Sequence, residues 1–133
     1  SSASNSGEFL KIGASGYGIG IGSTTFDNSA PGTKIVMRYE GVRWIPTTTD
    51  LPTGWHHIVM VIDASGVPTA YLDGVSTGAN AGAGPSAPGS EATYIGGGDT
   101  ATRWFNGSVD DVRLYNRALP LSDILALYSG GAK

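Results

Sequence analysis

Residues 54–74 read GWHHIVMVIDASGVPTAYLDG, and this stretch decides the fold. After Trp55, apolar side chains occupy both parities of residues 58–62, which predicts a central strand covered on both faces, with Trp55 in the core. A tight turn and a return strand over residues 68–72 follow, and Asp73-Gly74 is a strong signal for a β-hairpin. The stretch therefore predicts an antiparallel meander.

Shorter strand patterns lie on both sides of this meander. They cover residues 9–12, 17–22, 33–39, 42–45, 93–96 and 109–115. Residues 124–128 have helical spacing, with Ser122 as the N-cap or Pro120 in the first turn. Short strands followed by one short helix predict an all-β fold, an antiparallel β-sandwich (jelly roll) with one short C-terminal helix.

The polar stretches of the chain predict its loops and its domain organisation. Residues 46–54 are predicted to form turns, and the Gly/Ala/Ser/Pro-rich residues 77–90 a long surface loop without a core contribution. Residues 1–8 are predicted to be a disordered leader or a vector-derived remnant. Residues 9–130 are predicted to be one domain, large enough to bury a single core, with short or missing N-terminal strands.

Composition excludes several function classes. A net charge of −3 with eight Lys and Arg residues gives no basic surface for nucleic acid. No apolar run approaches the ~20 residues that a membrane span needs, and the absence of cysteine excludes disulfides and thiolate metal sites. Only 14% of residues are charged, against about 25% in typical domains. Together with abundant Gly, Ser and Thr, this favours the outside of a bacterial cell.

Three stretches resemble, in order and approximate spacing, the laminin-G-like jelly-roll family of the concanavalin-like lectin/glucanase superfamily. They are residues 54–63 (GWHHIVMVID), residues 69–75 (TAYLDGV) and residues 105–119 (FNGSVDDVRLYNRAL). They are similar to the family's Trp-His-His-apolar strand, its next strand with an Asp-Gly hairpin, and its closing signature. Two features differ from the family pattern: Pro120 replaces a Ser, and no Phe-Asp-Gly-like turn or Trp-containing strand precedes residue 54.

Two Arg-Trp pairs near turns are the candidate ligand-binding residues. They are Arg43 with Trp44 and Arg103 with Trp104, and Tyr39 extends the aromatic surface. Sugars present apolar ring faces flanked by hydroxyl groups, so they suit aromatic side chains with polar groups beside them. The alternative, that Trp44 and Trp104 only fill the core or anchor loops, stays open.

The resemblance also implies a calcium ion at the rim of the sandwich. Asp110, within the closing signature, is the candidate calcium ligand. The alternative is that Asp110 caps a turn or pairs with Arg113. His56 and His57 are neighbours in a strand and face opposite sides, so they are predicted to pack rather than to bind one metal together.

The carboxylates do not form a catalytic pattern. Glu8, Glu40 and Glu91 are isolated, whereas glycosidases need two carboxyl groups about 5–9.5 Å apart across a cleft. The sequence therefore predicts a non-catalytic, lectin-like module that binds polysaccharide or glycan and is extracellular or on the cell surface. The alternative is a protein-interaction, adhesion or assembly module that completes its sheet with a partner through an open strand edge.

Overall fold

The structure, a computed structural model, describes residues 7–13, 16–22, 32–39, 43–78, 92–97 and 104–130, without the side chains of residues 39 and 43–45. These residues form eight strands and one helix. The elements are β1 (Gly7–Ile12), β2 (Tyr17–Gly22), β3 (Lys34–Tyr39), β4 (Arg43–Asp50), β5 (Ile58–Ile62), β6 (Pro68–Leu72), β7 (Val75–Ser76), β8 (Thr93–Ile95) and α1 (Leu121–Gly130). The prediction of an all-β fold with one short C-terminal helix is confirmed.

The strands form two antiparallel sheets. The large sheet has the order β4-β3-β2-β1-β8, and the small sheet has the order β5-β6-β7. In the large sheet β2 pairs with both β1 and β3, and β8 returns to pair with β1 through Leu10 and Ile95. The small sheet is the predicted meander, with Ile58 opposite Leu72 and Ile62 opposite Pro68.

The hydrophobic core lies between the two sheets. Alternate residues of the large sheet supply most of it, and Ala70 of β6 supplies the small sheet's fully buried contribution. The buried core residues are Phe9, Ile19, Ile21, Ile35, Met37 and Ala70, and the partly buried residues packed against them are Leu10, Leu51, Ile58, Met60, Leu72 and Phe105. This arrangement is the β-sandwich that the alternating patterns predict.

Glycine lets the first two strands of the large sheet approach each other closely. A Cβ atom on Gly20 of β2 would lie 2.3 Å from the carbonyl oxygen of Gly7. The irregularity of β1 between Glu8 and Leu10 lies next to this contact. Only glycine therefore allows the observed spacing at this point.

The Asp73-Gly74 turn connects the small sheet to the helix. Both residues have positive φ angles, 52° and 80°, as a tight hairpin between β6 and β7 requires. A Cβ atom on Gly74 would lie 2.7 Å from Leu125, so α1 packs directly on the turn. Ile124 of the same helix is fully buried. The turn thus positions the end of the chain.

The position of β5 corrects one prediction. The all-apolar β5 is not a central strand, because β6 is its one partner among the described residues and it lies at the edge of the small sheet. All five β5 residues are half-buried. Trp55, predicted to be core, is 65% exposed because it precedes the strand, in a bend after Gly54.

Residues 109–115 correct another prediction, because they form no strand. They alternate as a strand would, but alternation alone supplies no partner for the backbone, and no ladder includes them. Val112, Leu114 and Tyr115 are exposed. The residues that most resemble a closing strand therefore lie on the surface.

The strand β4 extends well beyond its predicted range. It runs from Arg43 to Asp50, through Pro46 and into residues predicted to be a turn. Proline is tolerated there because β4 is an edge strand of the large sheet, where one row of backbone groups has no ladder partner. Its pairing with Val36 holds Pro46 in the sheet.

Smaller corrections concern element ends. β1 begins at Gly7 rather than Phe9, because Gly7 and Glu8 pair with β2, so the predicted leader is too long by two residues. The carbonyl oxygen of Pro120 accepts hydrogen bonds from the Asp123 and Ile124 amides, so Ser122 lies inside the helix and is not its N-cap. In the predicted loop of residues 77–90, Thr77 is buried and its hydroxyl donates to the Ala70 carbonyl, whereas residues 79–90 lie outside the described ranges.

No helix within the described ranges is long and apolar enough to cross a membrane.

Candidate ligand-recognition site

Trp104 is the predicted ligand-binding residue whose side chain the structure places on the surface. Its indole is 61% exposed. A Cβ atom on Gly97 would lie 2.6 Å and 2.8 Å from two carbon atoms of the six-membered ring, so the indole rests against the backbone of Gly97. The glycine provides a flat support that any other residue would disturb, and it leaves much of the ring accessible.

Phe105 fixes the backbone that carries Trp104. Its amide donates a 3.1 Å hydrogen bond to the carbonyl oxygen of Gly96, just after β8. Its ring meets the ring of Phe9 edge-to-face, with centroids 4.6 Å apart and planes at 86°, and Phe105 packs against the core. Because one residue is anchored and the next is exposed, Trp104 is held in a defined position at the β8 edge of the large sheet.

The second Arg-Trp pair lies at the opposite edge of that sheet. Arg43 and Trp44 are on β4, opposite Tyr39 and Arg38 of β3. Four strand spacings separate β4 from β8, which is roughly 19 Å. The sheet brings Tyr39 close to Arg43 and Trp44 along the backbone but does not bring this group to Trp104. The side chains of Tyr39, Arg43 and Trp44, and the whole of Arg103, lie outside the described residues.

Asp110 makes a local contact. Its Oδ1 accepts a 2.8 Å hydrogen bond from the amide of Asp111. The expected alternative partner, Arg113, instead makes a two-point contact with the Asp111 carboxylate, at 2.9 Å and 2.8 Å. The Asp111 hydrogen bond raises the pKa of Arg113. The Asp110–Arg113 pairing is therefore wrong, and Asp111 is the acidic partner.

The described residues do not form a calcium site around Asp110. Calcium takes six to eight oxygen ligands. No group of three or more His, Asp or Glu side chains in the described part of the chain is placed to hold a metal ion. Asp27 and Asp99, the other aspartates considered from the sequence, lie outside that part. Calcium binding at Asp110 stays a prediction.

The two histidines have different partners, which agrees with packing roles. Asp73 joins them: its Oδ2 lies 2.8 Å from His56 Nδ1, and its Oδ1 accepts a 2.9 Å hydrogen bond from the His57 amide. The His57 ring stacks on Tyr128 of α1, with centroids 6.0 Å apart. Together these contacts fasten the start of β5 to the hairpin turn and to the helix.

Electrostatics at this cluster follow from burial and from these contacts. Partial burial by itself raises the pKa of Asp73, but hydrogen bonds from His56 and from the His57 amide outweigh it, so the pKa is lowered. Burial lowers the pKa of His57, and this effect outweighs the nearby charge of Asp73. The folded protein therefore favours an ionised Asp73 and a neutral His57.

Sequence reasoning missed two features of this surface. Gly97 supports Trp104, but nothing in the local pattern separates it from the two glycines beside it. Asp73 was identified for its turn, whereas its carboxylate contacts with His56 and His57 depend on β5 pairing with β6. Both features arise from contacts between distant parts of the chain.

Two antiparallel sheets packed over one core define a jelly-roll-type β-sandwich, and comparison with known proteins gives its family. The chain belongs to the family described as Laminin_G_3, concanavalin A-like lectin/glucanases superfamily, whose model matches residues 2–125. The crystal structure of an S-layer domain-containing protein (residues 221–444) from Clostridium thermocellum ATCC 27405 is similar, with 23% identity and a TM-score of 0.47. The match covers 92% of this chain and 63% of that one. No curated protein matches the chain.

Proposed function

We propose that the chain is a non-catalytic recognition module that binds carbohydrate, with the exposed face of Trp104 as the contact surface. The observation that carries the proposal is the fixed, 61% exposed indole supported by Gly97. Membership of a superfamily that includes lectins supports the same function class. Because fold alone does not assign function, the argument depends on this site.

The chemistry of the site suits a sugar ring. An exposed indole presents a broad apolar face, which stacks on the C–H face of a pyranose while its hydroxyl groups remain in water. The anchored Phe105 keeps the loss of conformational freedom on binding small, because the neighbouring backbone is already ordered. The short side chain of Asn106 follows in the same exposed turn and offers both a donor and an acceptor.

The cellular location belongs to the same proposal. A surface built from Gly, Ser and Thr with few charges, and a fold family that includes lectins, favour an extracellular or cell-surface protein. Polysaccharides are the polymers that such a module meets there. The proposed ligand is therefore a polysaccharide or a surface glycan.

The experiment is a titration of tryptophan fluorescence with hydroxyethyl cellulose, xylan, mannan and polygalacturonate, each with calcium and with a chelator. Trp104→Ala is expected to abolish the response to the polymer that binds. Trp55→Ala is the matched control, because Trp55 is equally exposed, at 65%, but lies near the start of the small sheet. A chelator effect would support calcium at Asp110, and Asp110→Asn should then remove that effect.

Two results would contradict the proposal. One is no response to any polymer from folded protein; the other is a response that Trp55→Ala removes and Trp104→Ala preserves. The second result would locate a sugar site beside β5 instead. Circular dichroism on each variant shows that the fold is retained, which is expected because both indoles are mostly exposed.

A further inference from the structure

The hydrogen bonds between β5 and β6 fix which backbone groups of β5 point outward. The amide of Asp73 donates to the carbonyl of His57, and the amide of Asp63 donates to the carbonyl of Val67. In an antiparallel ladder such hydrogen-bonded pairs alternate with non-bonded ones. The odd-numbered residues of β5 therefore bond to β6, and the N–H and C=O groups of Ile58, Met60 and Ile62 face the other side.

That outer side has the features of a strand-pairing surface. Among the residues that the structure describes, no strand pairs with it. The five residues of β5 are Ile, Val, Met, Val and Ile, with no charge, proline or bulge. Exposed edges in natural proteins usually carry such features, because an edge without them pairs readily with another strand.

We propose that this edge binds a second copy of the chain, β5 against β5, in an antiparallel pair centred on Met60. In this register Met60 faces Met60 of the second copy, and Ile58 faces Ile62. These are the residues whose backbone groups point outward, so each facing pair makes two hydrogen bonds. The two small sheets then form one continuous sheet related by a two-fold axis, which gives a closed dimer.

The side chains are complementary in the same register. Val59 faces Val61 of the second copy in a non-hydrogen-bonded pair, where β-branched side chains approach most closely. At each end His57 faces Asp63 of the second copy. The Asp63 carboxylate is exposed and held in place by the amides of Ser65 and Val67, and His57 lies on the same face of the strand. An uncharged centre with a His-Asp pair at each end favours this register over shifted ones.

The test measures oligomeric state by sedimentation velocity on the complete chain across a dilution series. A concentration-dependent dimer is expected. The double variants Val59→Lys/Val61→Lys and Val59→Glu/Val61→Glu place like charges directly opposite each other, and each is expected to weaken the dimer about tenfold or more. An equimolar mixture of the two variants places Lys opposite Glu and should restore it. The restoration separates pairing through β5 from a loss of folding.

Val75→Lys is the matched control. Val75 is exposed on β7, the other edge of the same sheet, so its charge should leave the dimer intact. Amide hydrogen exchange on the unmodified protein is a second measurement that needs no variant. The amides of Ile58, Met60 and Ile62 should be protected at high concentration and exchange rapidly on dilution.

Several outcomes would overturn the proposal. The first is a monomer at all concentrations, whether its β5 amides exchange freely or are protected by the chain itself. Another is a dimer that the β5 charges do not affect or that Val75→Lys disrupts. This inference does not depend on carbohydrate binding, because the Trp104 surface is on the large sheet and its titration is read independently of mass.

Discussion

The same tripeptide, Ile-Val-Met, occurs once in each sheet, at residues 35–37 and residues 58–60. In β3 these three side chains are 0%, 1% and 0% exposed, whereas all residues of β5 are half-buried. The difference comes from their neighbours: β3 has a strand on each side, and β5 has β6 alone among the described strands. Burial in this protein therefore depends on strand pairing and not on local hydrophobicity.

The first and largest test of this comparison replaces the same residue type in both strands. Met37→Ala is expected to destabilise the fold by about 2–5 kcal/mol, because a fully buried side chain leaves a cavity. Met60→Ala, in the half-buried strand, should cost clearly less. The free energy of unfolding from urea denaturation measures both, and equal losses would remove the distinction between the sheets.

The second test concerns close packing within the large sheet. Gly20→Ala should destabilise the protein by about 1–3 kcal/mol, because the added Cβ would meet the Gly7 carbonyl oxygen at 2.3 Å and push β1 from β2. Gly130→Ala is the control, since nothing lies within 4 Å of a Cβ atom at that position. Thermal unfolding of both variants gives the comparison. A tolerated Ala at residue 20 would mean that these strands can separate at little cost.

The third test concerns the fastening of the small sheet. Asp73→Asn should cost about 1–2 kcal/mol at neutral pH, because the contacts with His56 and the His57 amide lose their charge. The lowered pKa of Asp73 in the folded state means that its contribution is present above the unfolded pKa, near 4, and is lost as pH falls through the folded value.

The pH dependence of stability checks this assignment. Between pH 6 and pH 2 the unfolding free energy of the unmodified protein should fall more steeply than that of Asp73→Asn. Asp111→Asn is the control, because its ion pair with Arg113 is exposed and surface pairs contribute little. If Asp73→Asn had the same acid dependence as the unmodified protein, other carboxylates would account for it.

The smallest effect is expected at the exposed edge of the large sheet. Lys34 and Asp50 form a 2.7 Å ion pair between β3 and β4, and this contact lowers the pKa of Asp50. Asp50 is solvent-exposed, so Asp50→Asn should leave the unfolding midpoint unchanged within error. A measurable loss would show that edge ion pairs contribute to the stability difference between the sheets.

Sequence alone predicts the elements of this fold better than their neighbours. Residues 68–72 and the Asp73-Gly74 turn are where the pattern indicates, because both signals are local. The apolar residues 58–62 form a strand as predicted, but an all-apolar strand reads the same at an edge and at a centre. Residues 109–115 alternate and yet stay unpaired. Pairing partners come from distant parts of the chain, which periodicity does not report.

The candidate site shows the same division. An Arg-Trp pair near a turn identifies Trp104, because residue type and turn context are local properties. The support from Gly97 depends on the return of the chain past β8, and no nearby residue signals it. Trp55 was assigned to the core from its place beside an apolar run, but the strand begins three residues later and leaves the indole exposed.

The pairing of β1 with β8 has a consequence for how this chain reaches its fold. The β5–β6 hairpin joins residues within a short loop, whereas Leu10 meets Ile95 only after most of the chain lies between them. Loop-closure entropy makes such distant pairing slow. The small sheet should therefore form first on the folding pathway, and the β8 edge that supports Trp104 should form among the last elements.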